Sequence, residues 1–289
     1  MTGAVMEGPH PPPLPWGICK RRTKVIERLP RPFRVLLAAT LGASLTLAAG
    51  CGSTDKDSSG SSGKSGRTLF VFAAASLTET FTSLGKTFET SHPGVKVKFN
   101  FGGSSALAQQ ITQGAPADVF AAASPATMKT VTDAKDASGT PTTFVRNRLE
   151  IAVPPKNPGK VKALKDLANP KLKVVECAPE VPCGAAAIKA LAAAKLKVKP
   201  VSQEQDVKAA LTKVQLDEAD AALVYRTDVK SAAGKVKGID FPEAAQAIND
   251  YPIATLAKAP QPELAGQFVQ LILSDDAKTV FGQAGFESP

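Results

Sequence analysis

Residues 69–124 constrain this chain more than any other stretch. They hold two apolar strands, 69–72 and 95–101, and each runs into a serine just before a helical pattern. The first is Ser76, after Ala73-Ala74-Ala75; the second is Ser104, after Gly102-Gly103. In an α/β sheet such residues stand at the carboxyl ends of strands, where ligands bind. Helix starts there offer unpaired N–H donors and the positive end of the helix dipole, which suits an anion.

Leu77, Phe81, Leu84 and Phe88 recur at helical spacing and predict a helix over 77–90, stopped by His92-Pro93-Gly94. A short helix over 105–112 and an apolar strand over 118–122 complete a β-α-β-α-β unit, which argues for a parallel sheet. Residues 125–133 read as helix, and 144–145 and 149–153 as strand. A second set follows: helix 161–167, strand 172–177, helix 184–196, helix 206–216, and strands 221–225, 236–241 and 253–257. Helices near 263–273 and 275–284 close the chain. The pattern predicts two α/β lobes, the first from 67–145 and 252–289 and the second from 146–251, with a groove between them suited to a small ligand.

The formal charge of +9 overstates the basicity of the folded part. Seven basic and two acidic residues precede Cys51, so the remaining 28 basic and 24 acidic residues give +4. The lysines are scattered and no basic patch is interleaved with aromatics, which argues against nucleic acid as a partner. Residues 18–34 are basic and 35–50 are apolar without charge, the pattern of a signal-peptide core rather than a membrane span. The run ends Leu47-Ala48-Ala49-Gly50-Cys51, which resembles a bacterial lipobox, although the leucine stands one place early. Residues 1–50 are therefore expected to be a lipoprotein-type signal peptide, with lipid on Cys51 tying the protein to the membrane. Residues 51–66 are rich in Gly and Ser and read as a flexible tether.

Cys177 and Cys183 remain, with five residues between them. For an exported chain a disulfide is the default. A metal site would lack a nearby histidine or third cysteine.

Each candidate residue also has a plain structural reading. Ser76-Leu77-Thr78-Glu79 fits a capping box. Ser104 and Asp206 fit helix N-caps, and Tyr225 fits a core tyrosine with a paired hydroxyl. Enzymatic readings are poorer. The one histidine after Cys51 is His92, in a Pro-Gly turn that is awkward for a general base, and there is no GxSxG elbow.

Phe72-Ala73-Ala74-Ala75-Ser76-Leu77-Thr78, Phe101-Gly102-Gly103-Ser104-Ser105-Ala106-Leu107-Ala108 and Gly114-Ala115-Pro116-Ala117-Asp118-Val119-Phe120 together resemble the periplasmic molybdate-binding proteins of ABC transporters. The likeness continues through Asp206-Val207, Leu223-Val224-Tyr225, Tyr251-Pro252-Ile253 and Gly285-Phe286, and so covers about residues 68–287. It implies an α/β, two-lobed type II periplasmic-binding-protein fold. Each lobe would be a mainly parallel sheet flanked by helices, with the ligand cleft between lobes. It also implies a site for molybdate, and for tungstate of nearly the same size. The matched positions are the hydroxyls and N–H groups of Ser76 and Ser104, the backbone N–H groups of Cys183 and Val207, and the hydroxyl of Tyr225. Cys183 stands where the family often has a small non-cysteine residue, but it would contribute only its backbone N–H. A permease and its ATPase are the implied partners of a monomeric, extracytoplasmic protein that performs no chemistry and needs no cofactor. A receptor for another oxyanion such as sulfate is the nearest alternative. A hydrolase of oxyanion esters and a surface adhesion or sensory protein stand further off.

Overall fold

The computed structural model describes residues 67–289. The expected signal peptide (1–50), lipid-bearing Cys51 and tether (51–66) lie outside the described residues.

The chain builds two five-stranded sheets. The first opens with β1 (Arg67–Ala74), whose alternate residues Leu69 and Val71 are fully buried. A short 3-10 turn, Ala75–Leu77, leads into α1 (Thr78–Ser91), which buries Phe81, Leu84 and Phe88 as its spacing requires. Gly94, at φ +85°, turns the chain into β2 (Val95–Gly102), parallel to β1. Then follow α2 (Ser104–Thr112), β3 (Val119–Ala121) and α3 (Pro125–Asp133). Next comes β4 (Ala137–Asn147), the edge strand of this sheet, from which the chain passes to the second lobe.

Only Arg148 separates β4 from β5 (Leu149–Val153), the first strand of the second sheet. That sheet continues with β6 (Val174–Cys177), α4 (Pro182–Ala193), β7 (Ser202–Glu204), α5 (Val207–Gln215), β8 (Ala221–Tyr225), α6 (Arg226–Ser231) and β9 (Lys237–Ile239). The chain returns to the first sheet in β10 (Asn249–Leu256), and α7 (Pro262–Leu273) and α8 (Asp275–Ala284) close it.

The strand orders are β2-β1-β3-β10-β4 and β7-β6-β8-β5-β9. In each sheet three parallel strands are followed by two that join antiparallel. The two lobes thus repeat one plan: β1, β2 and β3 correspond to β6, β7 and β8, and α1 and α2 to α4 and α5. Hydrophobic clusters cover both faces of the first sheet, and a third cluster forms the core of the second lobe.

Several expectations needed correction. The helix expected over 161–167 is a 3-10 turn, Leu164–Ala168, preceded by Lys160 at positive φ. Strand β4 begins at Ala137, well before the expected 144, and β7 and α6 had no counterpart in the sequence reading.

Candidate functional site

Because the lobes repeat one plan, each brings the starts of its first two helices to the same place. Ser76 lies in the middle of the 3-10 turn after β1, Ser104 opens α2 after β2, Cys183 lies in the first turn of α4 after β6, and Val207 opens α5 after β7. Tyr225 ends β8. All five line one cavity, with Gly103, Ala123 and Asp206 beside them. The space open to the centre of a water-sized sphere is about 10 Å³, about what a single water requires, so the lobes stand closely apposed around it.

Most of these helix starts lack a side-chain cap. Neither the 3-10 turn before α1, nor α1, α2 or α4 has one, so their first N–H groups need partners from elsewhere. The capping box expected at Ser76 does not form: the residue before α1 is Leu77, and Glu79 bonds Lys208 instead. Ser104 is not an N-cap either; that place is held by Gly103. Asp206 is one, as expected, and accepts the N–H of Ala209 at 2.9 Å.

The hydroxyls are oriented by what they accept. Ser104, 1% exposed, accepts the N–H of Ala123 at 3.0 Å, which leaves its own proton for another acceptor. Tyr225 accepts from Asn249 Nδ2 at 2.9 Å and likewise keeps a proton to give. Ser76 Oγ lies 2.9 Å from the Tyr251 hydroxyl. Asn147 Oδ1 accepts the N–H of Arg148 at 3.0 Å, which turns its Nδ2 toward Tyr251 at 3.4 Å and Thr227 Oγ1 at 2.9 Å. Either hydroxyl of the Ser76–Tyr251 pair can be the donor; with the Tyr251 proton on Ser76 Oγ, Ser76 is left with its own proton to give to the cavity. Burial pushes both tyrosine hydroxyls well above their ordinary value, so both remain donors at any physiological pH.

The sequence reading missed the two asparagines and the role of the Tyr251 hydroxyl. Asn147 and Asn249 face each other across β4 and β10, where the chain passes between lobes. Both are buried polar residues beside long apolar runs, which was the signal available.

No lysine or arginine lines the cavity, and its one carboxylate, Asp206, caps α5. Asp118 lies away from it, fully buried, accepting Phe70 N at 2.7 Å and Gln261 N at 2.6 Å. Cys177 and Cys183 are joined by a disulfide that ties the end of β6 to the first turn of α4. Across the cavity mouth the lobes touch closely. A Cβ on Gly103 would stand 2.1 Å from the Gln205 carbonyl of the other lobe, and Ser105 Oγ donates to the Glu180 carbonyl.

A two-lobed α/β chain with a small anion-suited cavity between its lobes describes a solute receptor. Residues 69–287 match the model of the bacterial extracellular solute-binding protein family, and the chain belongs to that family. Within it, the chain is 44% identical over 255 residues to the molybdate-binding protein ModA of Mycobacterium tuberculosis, covering 88% of this chain and 97% of that one. It is 33% identical over 230 residues to ModA of Haemophilus influenzae, covering 75% and 89%. The periplasmic molybdate-binding protein of Azotobacter vinelandii has the same fold, with a TM-score of 0.66 at 21% identity over 76% of this chain and 99% of that one.

Proposed function

We propose that this chain is the molybdate-binding component of an ABC importer, and that Ser76, Ser104, Cys183, Val207 and Tyr225 hold the anion. The observation that carries the reading is the convergence of those five residues, all neutral donors, on one small cavity. Molybdate near neutral pH is a fully deprotonated dianion that accepts hydrogen bonds and donates none. A wall of O–H and N–H groups fits it. Phosphate keeps a proton and would gain from an acceptor; the one carboxylate in the wall, Asp206, has its Oδ1 committed to the Ala209 N–H as the cap of α5.

Fixed neutral dipoles can hold such a charge because they need little reorganisation on binding. Each hydrogen bond to a charged group is worth about 1.5–3 kcal/mol net. Five or more, less the cost of closing the lobes, reach micromolar affinity or about −8 kcal/mol and beyond. Tungstate, of nearly the same size, binds as well.

The wider reading follows from the same role. The protein is anchored outside the cytoplasm by lipid on Cys51, works as a monomer, and hands its ligand to a permease driven by an ATPase. Its lobes divide close to the ends of β4 and β10. In keeping with the role of a solute-binding protein, it transforms nothing; His92 lies at the far end of α1, stacked on Phe88 with ring centres 4.0 Å apart. Thermal unfolding with millimolar molybdate, tungstate, sulfate or phosphate tests the reading. A ligand at about 1,000 times its dissociation constant adds about 4 kcal/mol of stability, a shift of several degrees. A large shift with molybdate and tungstate and little with sulfate and phosphate is expected. Stabilisation by sulfate alone would reassign the ligand.

A further inference from the structure

Lys208 directly follows the Val207 donor at the start of α5. Its Nζ lies 2.7 Å from Glu79 Oε1, which belongs to α1 of the other lobe. Within its own lobe, the same Nζ lies 3.3 Å from Asp228 Oδ1 and 3.0 Å from Ser231 Oγ, both on α6. Asp228 is fully buried, and its Oδ2 accepts the backbone N–H of Tyr225 at 3.1 Å. One ammonium group therefore joins three things: the first turn of α1 beside Ser76, the start of α5 at Val207, and the carboxylate that holds Tyr225.

The partners differ in how they are held. Asp228 and Ser231 share a lobe with Lys208, so lobe motion leaves those contacts intact. Glu79 is half-exposed, on the other lobe, and Lys208 is its one ion-pair partner among the described residues. Its contact exists only while α1 and α5 are brought together.

We propose that Lys208 is a positioning residue that latches the lobes through Glu79 and so sets how long bound molybdate stays. The proposal rests on the cavity being the molybdate site. It gives the closed state an interaction that the open state lacks. Breaking the pair therefore speeds release and leaves the rate of capture nearly unchanged.

A simple field effect makes a different forecast. Glu79 is negative and Lys208 positive, so their influence on a nearby dianion is opposite in sign. By field alone, Glu79→Gln would slow release and Lys208→Met would speed it. By the latch, both speed it. An exposed pair of this kind is worth roughly two- to fivefold, and that is the increase in release rate expected for Glu79→Gln. Lys208→Met gives at least as much, Lys208→Arg restores slow release, and the double variant releases no faster than Lys208→Met alone.

The experiment is dissociation of radiolabelled molybdate from the purified full chain, chased with excess unlabelled molybdate, alongside the association rate. Melting of each ligand-free variant shows whether the second lobe remains folded. Faster release from Glu79→Gln with unchanged association supports the latch. Unchanged or slower release from that variant overturns it while leaving the molybdate site intact. Failure of the unaltered chain to bind molybdate would overturn the site and the latch together.

Discussion

The Tyr251 hydroxyl lies 2.9 Å from Ser76 Oγ, yet Tyr251 does not line the cavity that Ser76 faces. It stands one step behind the donor: it takes a hydrogen bond from Asn147, and its pairing with Ser76 orients the Ser76 hydroxyl. Tyr251→Phe keeps the ring, its 6.0 Å edge contact with Tyr225 and its place in the core, and removes only that step. Molybdate affinity by titration calorimetry is expected to fall about tenfold, the worth of one oriented hydrogen bond to a charge, with ligand-free melting little changed. Unchanged affinity would show that Ser76 needs no such support.

Gly103 marks how closely the lobes approach. A methyl group there would stand 2.1 Å from the Gln205 carbonyl, which is backbone and cannot swing aside. Gly103→Ala is expected to weaken molybdate binding at least tenfold through incomplete closure, while melting of the ligand-free protein stays near that of the unaltered chain. Titration and melting together separate closure from folding.

The Cys177–Cys183 disulfide fixes a donor as well as a loop. Gly184 is pressed so close to this loop that a Cβ would meet the Ala178 carbonyl at 2.0 Å, so the first turn of α4 follows the loop wherever it goes. Reduction frees a short loop, worth roughly 2 kcal/mol of stability in the chain-entropy account. It also loosens the Cys183 N–H. Molybdate affinity is expected to drop on full reduction, as measured with and without reductant. Equal affinity in the two states would confine the bond's effect to stability.

Glu176 on β6 sets the pH response. It is 6% exposed, its Oε1 has no hydrogen-bond partner among the described residues, and burial raises its pKa from 4.5 to about 7. A carboxyl whose folded value lies above its unfolded value favours the fold when protonated. Its contribution is full below pH 4.5 and is lost as pH rises through 7. Burial likewise raises Asp228 from 3.8 to about 6, against the pull of Lys208, and adds a loss of the same sign. Stability is expected to fall between about pH 5 and 8, by up to about 3 kcal/mol from Glu176, and to be read as a lower melting temperature. Glu176→Gln flattens that fall. An equal slope in both proteins would place the titration elsewhere.

The fold, and the places where the proposed donors stand, were readable because they rest on local signals. Ser76, Ser104, Cys183, Val207 and Tyr225 sit at helix starts and a strand end, and apolar periodicity marks such places. What lies behind them depends on partners distant in sequence. Asn249 reaches Ala123 at 2.7 Å across the fold, and Tyr251 meets Ser76 from the far end of the chain. Nothing in the runs around those residues announces the pairing. Strand β7, with the sequence Ser-Gln-Glu, carries no apolar pattern and exists because β6 offers it an edge. The capping box at Ser76 misled because its serine is turned toward Tyr251 and its glutamate toward the other lobe.

The central claim is that neutral donors from both lobes enclose molybdate at one place. The most direct test is an anomalous difference map, recorded at the molybdenum absorption edge from crystals grown with molybdate. A single strong peak is predicted among Ser76, Ser104, Cys183, Val207 and Tyr225. A peak elsewhere, or none in crystals shown to contain bound molybdenum, would contradict the account.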